Sequence, residues 1–187
     1  MIIILFFSFR SSTKNSGNYG LGDIISSLQW IKKNIQHFGG HPGQITVLAR
    51  GSGATLVTAL TASPMAKDLF KQAWVSNGAG AFENKTLTQA NTENKAILEA
   101  LNCGSDEVDC LIDATADAIT EAMPFSWRDT NTPELPQVGE KEHSWIVLDK
   151  HILLQHPLDY WKDNQLTNNI PMVFGKILFL IFDVMFH

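Results

Sequence analysis

Phe38-Gly-Gly-His-Pro-Gly-Gln-Ile-Thr-Val-Leu-Ala-Arg-Gly-Ser-Gly-Ala54 joins a glycine-rich turn, a short apolar run and a second group of glycines. The apolar run Ile45–Ala49 contains β-branched residues, which predicts a buried central strand. The segment Ala54–Leu60 that follows is apolar and stops before Pro64, which predicts a helix. The stretch therefore predicts a strand that turns sharply into a helix.

The segments on either side continue this alternation. Upstream, apolar residues at spacings of four and three predict one buried face of a helix that ends at Gly39. These residues are Ile24, Leu28, Ile31, Ile35 and Phe38. Downstream, Gln72–Ser76 predicts the next strand. The order helix, strand, turn, helix, strand indicates a doubly wound α/β domain with a parallel sheet.

The sequence around the glycine pairs resembles the cholinesterase and type-B carboxylesterase family. The family pattern for the strand and nucleophile elbow reads roughly F-G-G-D-P-x-x-V-T-L-F-G-E-S-A-G-A. Ser16–Asp23 resembles its G-N-Y-G-L-x-D turn, and Ile170–Gly175 resembles its I-P-(V/M)-(L/M)-x-G strand. The resemblance implies a partial α/β-hydrolase fold, with a central, mostly parallel sheet flanked by helices and incomplete at both ends.

Without gaps, the family's catalytic serine falls on Gly51. A nucleophile elbow is a tight strand-to-helix turn, and we expect nearly side-chain-free residues two positions before and after its tip. Ala49 and Gly53 satisfy this for a tip at Gly51, whereas a tip at Ser52 would place the bulky Arg50 at the crossing. The register therefore predicts a degenerate elbow without a catalytic residue, in which Ser52 helps the following helix to start.

Other parts of the acyl-transfer machinery do not match this sequence. Acyl transfer needs a nucleophile, a base, an orienting acid and oxyanion donors. In the family, the oxyanion loop lies upstream of the G-N-Y-G turn, which Ser16–Asp23 matches here. The family's catalytic acid and histidine lie downstream of the strand that Ile170–Gly175 matches. We expect the histidines to be surface or loop residues, namely His37, His41, His143, His151, His156 and His187. Neither the histidines nor the cysteines have zinc spacing, and no phosphate-binding loop is present, so no metal and no cofactor are expected.

Three divisions of the chain follow from the resemblance. Residues 1–15 form a non-matching N-terminal segment, residues 16–175 the partial cholinesterase-like domain, and residues 176–187 a non-matching apolar tail. We interpret both ends as products of a partial or mis-predicted chain, and contact of the two apolar ends with a membrane is the alternative. Neither end has the features of a signal peptide or the length of a membrane span.

Further elements are predicted between Phe82 and Gly175. Polar, helix-prone residues predict a helix over Thr88–Leu101, and apolar spacing predicts a single helix over Glu107–Met123. Trp145–Leu148 and Ile170–Gly175 read as strands. These elements extend the α/β pattern beyond the second strand.

Cys103 and Cys110 are the only cysteines. Their segment resembles the family's short disulfide loop, and the resemblance implies that they pair. A disulfide implies an oxidising compartment, and two buried free thiols are the alternative. Asn84-Lys-Thr86 is the one N-x-[ST] acceptor, so Asn84 is the candidate glycosylation site.

The composition of the chain argues against nucleic acid as a partner. The chain has 187 residues, 44% hydrophobic residues and a net charge of -5, without a cluster of Lys and Arg that would suit nucleic acid. The resemblance is to the family's non-catalytic adhesion branch. It implies an extracellular protein partner, such as a secreted immunoglobulin-type adhesion protein, and a domain that is secreted or held outside the plasma membrane by an anchor beyond this chain. A serine ester hydrolase that uses Ser52, and a non-functional fragment of one, are the alternatives.

Overall fold

The computed structural model describes residues 17–77, 85–104, 107–124, 146–163 and 170–175. The helices in these ranges are α1 (Tyr19–Asn34), α2 (Ser52–Thr61), α3 (Leu87–Ala100), α4 (Glu107–Asp113), α5 (Ala116–Ala122) and α6 (Pro157–Lys162). The strands are β1 (Thr46–Arg50), β2 (Gln72–Ser76) and β3 (Met172–Gly175).

The strands form one parallel sheet in the order β1-β2-β3. Its register places Leu48 beside Trp74 and Trp74 beside Val173. Parallel neighbours need a crossover connection, and α2 supplies one between β1 and β2. The predicted α/β class with a parallel sheet and flanking helices is confirmed.

One face of the sheet packs against α1 and α2. Side chains alternate between the two faces of a strand, so Ala73 and Val75 point together toward this inner face. They join a core formed by Leu21, Ile25 and Leu28 of α1 and Val57, Ala59 and Leu60 of α2. Burial of these apolar side chains is the main favourable term that holds the helices to the sheet.

The other face of the sheet carries a row of exposed apolar residues. Leu48 is 74% exposed, Trp74 55% and Val173 48%, and they are neighbours across the three strands. We call this row the open face. The prediction that Ile45–Ala49 forms a buried central strand is therefore wrong for the described residues, where the strand spans Thr46–Arg50 and lies at the sheet edge.

The first helix is shorter than its apolar spacing predicted. After Asn34 the chain continues as a 3₁₀-helix over Ile35–Phe38, which Gly39 ends with a φ of 79°. A 3₁₀-helix has three residues per turn, so the α-helical phase is lost. Phe38 is consequently 72% exposed rather than part of the buried face.

A second, smaller core lies between α3, α4 and α5. It contains Ile97, Leu98, Leu111 and Ile119. The single helix predicted over Glu107–Met123 is two helices, because Thr115 ends the run and caps α5 by accepting a hydrogen bond from the Ala118 N–H at 3.2 Å. A threonine favours this capping position because its hydroxyl competes with helical bonding.

The strand predicted at Trp145–Leu148 is reduced to one bridge, between Thr86 and Leu148. Trp145 itself lies outside the described residues. Val147 is buried and is held instead by Asn18, whose side chain donates to its carbonyl at 2.7 Å and accepts from its N–H at 3.0 Å. None of the helices in the described ranges is both long enough and apolar enough to cross a membrane.

Candidate functional site

The candidate site is the turn between β1 and α2. β1 ends at Arg50, α2 begins at Ser52, and Gly51 lies between them with φ 58° and ψ −132°. Its N–H donates a 2.9 Å hydrogen bond to the Ser76 carbonyl at the end of β2. The structure thus places Gly51 at the tip of a tight strand-to-helix turn whose backbone conformation is one that residues with a side chain rarely adopt.

Space does not explain why glycine occupies this turn. A Cβ added at Gly51 would meet no atom within 4 Å, and the same holds for Gly53. The expectation that a crowded crossing requires a small residue at Gly53 is therefore wrong. Gly51 differs because its φ is positive, so a residue with a side chain would be strained there by its backbone rather than by neighbouring atoms.

Ser52 occupies the first position of α2. Its side chain is exposed, and its hydroxyl makes no hydrogen bond with any described residue. The residue at the N-cap is Gly51, and no side-chain capping bond is made there. Ser52 thus lies one step inside the helix, as the register predicted, and its help in starting the helix stays a prediction.

The turn belongs to a wider edge of the sheet. The Asn77 N–H donates to the Gly175 carbonyl at 2.9 Å, so the carboxyl ends of the three strands are joined side by side. In open parallel sheets, sites form outside this edge. Ala49 is half-buried on the inner side, while Arg50 is exposed on the same side of the sheet as the open face. The tip residue, Gly51, therefore offers only backbone groups and no side-chain nucleophile.

The described histidines lie in other places. His37, His41 and His151 are exposed, as expected, and His41 Nδ1 accepts a hydrogen bond from the Gly43 N–H at 3.0 Å within its turn. His156 contradicts the expectation of a surface residue, because it is buried and its Nδ1 accepts from the Leu158 N–H at 3.2 Å to cap α6. His143 and His187 lie outside the described residues.

Metal binding has no candidate in the described part of the chain, where no three His, Cys, Asp or Glu side chains come together as ligands would. Cys103 and Cys110 form a disulfide, as the resemblance implied. It links the residues after α3 to α4 at the smaller core. Asn84 lies outside the described residues, but Thr86 of the same acceptor tripeptide is the N-cap of α3.

An ion pair that local sequence patterns do not predict joins Lys85, just before α3, to Glu93 within that helix. The Lys85 ammonium lies 2.6 Å from Glu93 Oε2, and the lysine side chain is only 3% exposed. Next to it, Thr86 and Gln89 form a capping box. The T-x-x-Q spacing was the signal in the sequence that could have placed the start of α3.

The chain is similar to esterases in sequence. The family model described as "Carboxylesterase family" matches residues 3–177. "Neurotactin" of Drosophila melanogaster is 37% identical over 164 residues, which are 86% of this chain and 19% of that protein. "Cholinesterase 1" of Branchiostoma lanceolatum is 31% identical over 177 residues, which are 88% of this chain and 43% of that protein.

Solved structures agree with the sequence comparison. A structure titled "PNB ESTERASE" has a TM-score of 0.68 and 27% identity, and the match covers 90% of this chain and 35% of that one. A Geobacillus stearothermophilus carboxylesterase has a TM-score of 0.65 and 26% identity, covering 85% and 32%. The chain thus spans less than half the length of each of these relatives.

Proposed function

Because this chain belongs to the carboxylesterase family, we propose that it is a catalytically inactive, cholinesterase-like domain that binds an extracellular protein partner in cell adhesion. The scaffold of the fold would serve as a rigid support for a binding surface, since function resides in sites placed on a fold rather than in the fold itself.

One observation carries the proposal. Gly51 stands at the tip of the elbow, with φ 58° and ψ −132°. Glycine has no side chain, so no oxygen is available at the tip to attack a carbonyl. Loss of the nucleophile from a serine hydrolase costs on the order of 10⁶ in turnover. The neighbouring Ser52 does not stand at the tip, because it is the first residue of α2, one position beyond Gly51, and its side chain is exposed.

Two further observations support an extracellular binding role. The Cys103–Cys110 disulfide suits an oxidising compartment. The similarity to neurotactin extends over 86% of the chain, and the sequence motifs resemble the family's non-catalytic adhesion branch. A secreted protein with immunoglobulin-type domains is the partner that this resemblance favours.

Covalent labelling tests the loss of activity. The full chain would be treated with a fluorophosphonate probe beside an active carboxylesterase and beside Ser52→Ala. We expect no labelling of the unsubstituted chain above the level of Ser52→Ala, because the tip residue has no oxygen to phosphonylate. Labelling that maps to Ser52 and disappears in Ser52→Ala would favour the serine hydrolase alternative and overturn the inactive assignment.

Bead aggregation tests the adhesive role. Beads coated with the full chain would be mixed with beads coated with secreted immunoglobulin-type proteins, with the reduced and alkylated chain as the control for folding. We expect mixed aggregates only with the oxidised chain. If no immunoglobulin-type protein gives mixed aggregates, the adhesive role is wrong, while the labelling result still decides the question of catalysis.

A further inference from the structure

The helices α3, α4 and α5 form a unit with a core of its own. The buried apolar residues of this core are Ile97, Leu98, Leu111 and Ile119. None of them belongs to the core between the sheet, α1 and α2. The unit Leu87–Ala122 is shorter than the roughly 40 residues below which a domain usually needs a disulfide or a comparable cross-link. The Cys103–Cys110 disulfide is therefore placed where the chain most needs one.

One side of the disulfide is fixed by the end of α3. The Cys103 N–H donates to the Leu98 carbonyl at 2.9 Å, and the Asn102 N–H donates to the Glu99 carbonyl at 3.1 Å. These are the two hydrogen bonds of a Schellman motif, with Asn102 in the left-handed conformation at a φ of 55°. The backbone of α3 thus holds Cys103 whether or not its sulfur is bonded.

The other side of the disulfide lies on α4, which has little else to hold it. α4 is 7 residues long, and isolated helices shorter than about 12 residues are marginal in water. Among its described side chains Leu111 is the buried one, and Ile112 beside it is 64% exposed. Cys110 therefore supplies the attachment that a short helix with a single buried side chain lacks.

α5 is equally short, but its attachment is different. It is 7 residues long, and it packs directly against α3 with Ile119 buried in the smaller core. Its first turn is capped by Thr115, which accepts from the Ala118 N–H. Both the contact with α3 and the cap are independent of the disulfide.

We propose that the Cys103–Cys110 disulfide is a redox-sensitive switch, whose reduction releases α4 from α3 while α5 and the sheet stay packed. Both cysteines are half-buried, and Asn102, Gly104 and Asp109 beside them are exposed, so a dithiol can approach the bond. Exposed disulfides are more easily reduced than buried structural ones and are often regulatory. The proposal does not rest on the adhesive role.

A dithiol reductant supplies both electrons for this step. Its first thiolate attacks one sulfur of the disulfide, so a mixed disulfide forms and the other cysteine leaves as a thiolate. Its second thiolate attacks the first reductant sulfur in the mixed disulfide and releases the remaining cysteine. The two protons of the dithiol end on the cysteines, and the reductant leaves as a disulfide.

Hydrogen exchange of the full chain, read by mass spectrometry with and without dithiothreitol, tests the proposal. We expect the amides of α4 to exchange several-fold faster after reduction, and those of α5, α2 and β2 to change little. Cys103 and Cys110 are the only cysteines, so the reductant has no other target in the chain. Equal acceleration in α4 and α5, acceleration that extends to α2 and β2, or unchanged exchange in α4 would overturn the proposal.

The state of the bond is measured in the same samples. Alkylation of the native chain should show two free thiols after dithiothreitol, and a disulfide that resists reduction in the folded chain would contradict the switch. Reoxidation should restore slow exchange in α4, because Cys103 is still held in place by the end of α3. Exchange that stays fast after reoxidation would also contradict the switch.

Variants separate the bond from the reductant. Cys103→Ser together with Cys110→Ser should give fast exchange in α4 without dithiothreitol and no further change when it is added. Asn102→Gly is the matched control, because it retains both the disulfide and the left-handed conformation at the end of α3, so α4 should stay protected. The comparison of the oxidised and reduced chain needs no variant and holds even if the double substitution prevents folding.

Discussion

At the scale of single residues, Gly51 combines an unusual backbone conformation with open space around it. The first property would strain any residue with a side chain at this position, and the second means that the side chain itself would meet no neighbouring atom. These two properties are separable by experiment because Gly53, two residues later, shares the open space without the positive φ.

Gly51→Ala should lower the free energy of unfolding by about 1–3 kcal/mol, the usual cost of a non-glycine residue in such a conformation. The matched substitution Gly53→Ala should raise it by about 0.5 kcal/mol, because alanine is favoured over glycine inside a helix. Urea unfolding monitored by circular dichroism measures both. Equal effects of the two substitutions would contradict the role assigned to the backbone of Gly51.

Tyr19 provides a pH-dependent measurement. Burial raises the pKa of its phenol above the ordinary value of 10.0, and a backbone hydrogen bond at Gly17 partly opposes the shift. Since the folded-state pKa is the higher one, the contribution of Tyr19 to stability is fully present below pH 10.0 and is lost as the pH rises through the folded-state pKa.

Tyr19→Phe cannot ionise, so the free energy of unfolding of this variant should decline less steeply above pH 10.0 than that of the unsubstituted chain. Urea unfolding at a series of pH values from 8 to 11 gives the two curves. Parallel curves across that range would show that the environment of the phenol does not differ between the folded and unfolded states.

At the scale of elements, the sequence predicts strands and helices wherever local spacing controls them. β2 has the predicted bounds Gln72–Ser76, and α3 begins and ends within one residue of its prediction. The predictions fail where geometry beyond the local spacing decides. Phe38 leaves the buried face because the helix tightens, and α4 separates from α5 because Thr115 caps a new helix.

The same distinction applies to the candidate site. The sequence placed the turn and its glycine through a motif, since a strand followed by glycines and a helix is a local pattern. It could not place the buried His156 or the Asn18–Val147 hydrogen bonds, because these partners are set by tertiary packing rather than by local spacing. The open face was also missed, since a run of apolar residues does not reveal whether both sides of a strand are covered.

The start of α3 allows a test at this scale. Thr86 accepts from the Gln89 N–H, and Gln89 Oε1 in turn accepts from the Thr86 N–H at 2.8 Å. Thr86→Ala removes the cap and should lower the free energy of unfolding by about 1 kcal/mol. Thr86→Ser should retain most of it. Because Thr86 is also part of the candidate glycosylation tripeptide Asn84-Lys-Thr86, the variants would be compared in bacterially expressed, unglycosylated protein.

Thr92→Ala is the control for the cap. Thr92 is exposed in the middle of α3, where its hydroxyl bonds the Thr88 carbonyl at 3.0 Å. Alanine has a higher helix propensity than threonine, so this variant should be as stable as the unsubstituted chain or slightly more stable. A loss of stability as large as that of Thr86→Ala would contradict the capping assignment.

At the scale of the whole molecule, Asn18 connects two distant parts of the chain. Its side chain makes both hydrogen bonds to Val147, 129 residues away, and it is 5% exposed. Buried backbone groups without a partner are costly. Asn18 also has a φ of 51°, a conformation that asparagine tolerates better than most residues.

Asn18→Gly should therefore lower the free energy of unfolding by about 2–4 kcal/mol, through the two buried groups left at Val147. Asn18→Ala should lose roughly a further 1 kcal/mol, because alanine is strained at positive φ whereas glycine is not. Thermal or urea unfolding measures both. A glycine variant as stable as the unsubstituted chain would show that Val147 finds other partners.

The strand order also has a consequence during synthesis of the chain. Met172 of β3 follows Ser76 of β2 by 96 positions, although the two strands are neighbours in the sheet. At about 5–20 residues per second, a ribosome needs on the order of 10 s to make the intervening chain. Throughout that interval β2 has no partner on one side, and an unpaired strand edge is a template for pairing with other chains. A chaperone that covers the unpaired edge of β2 would therefore be most useful during this interval. The interval ends when β3 emerges and pairs with β2.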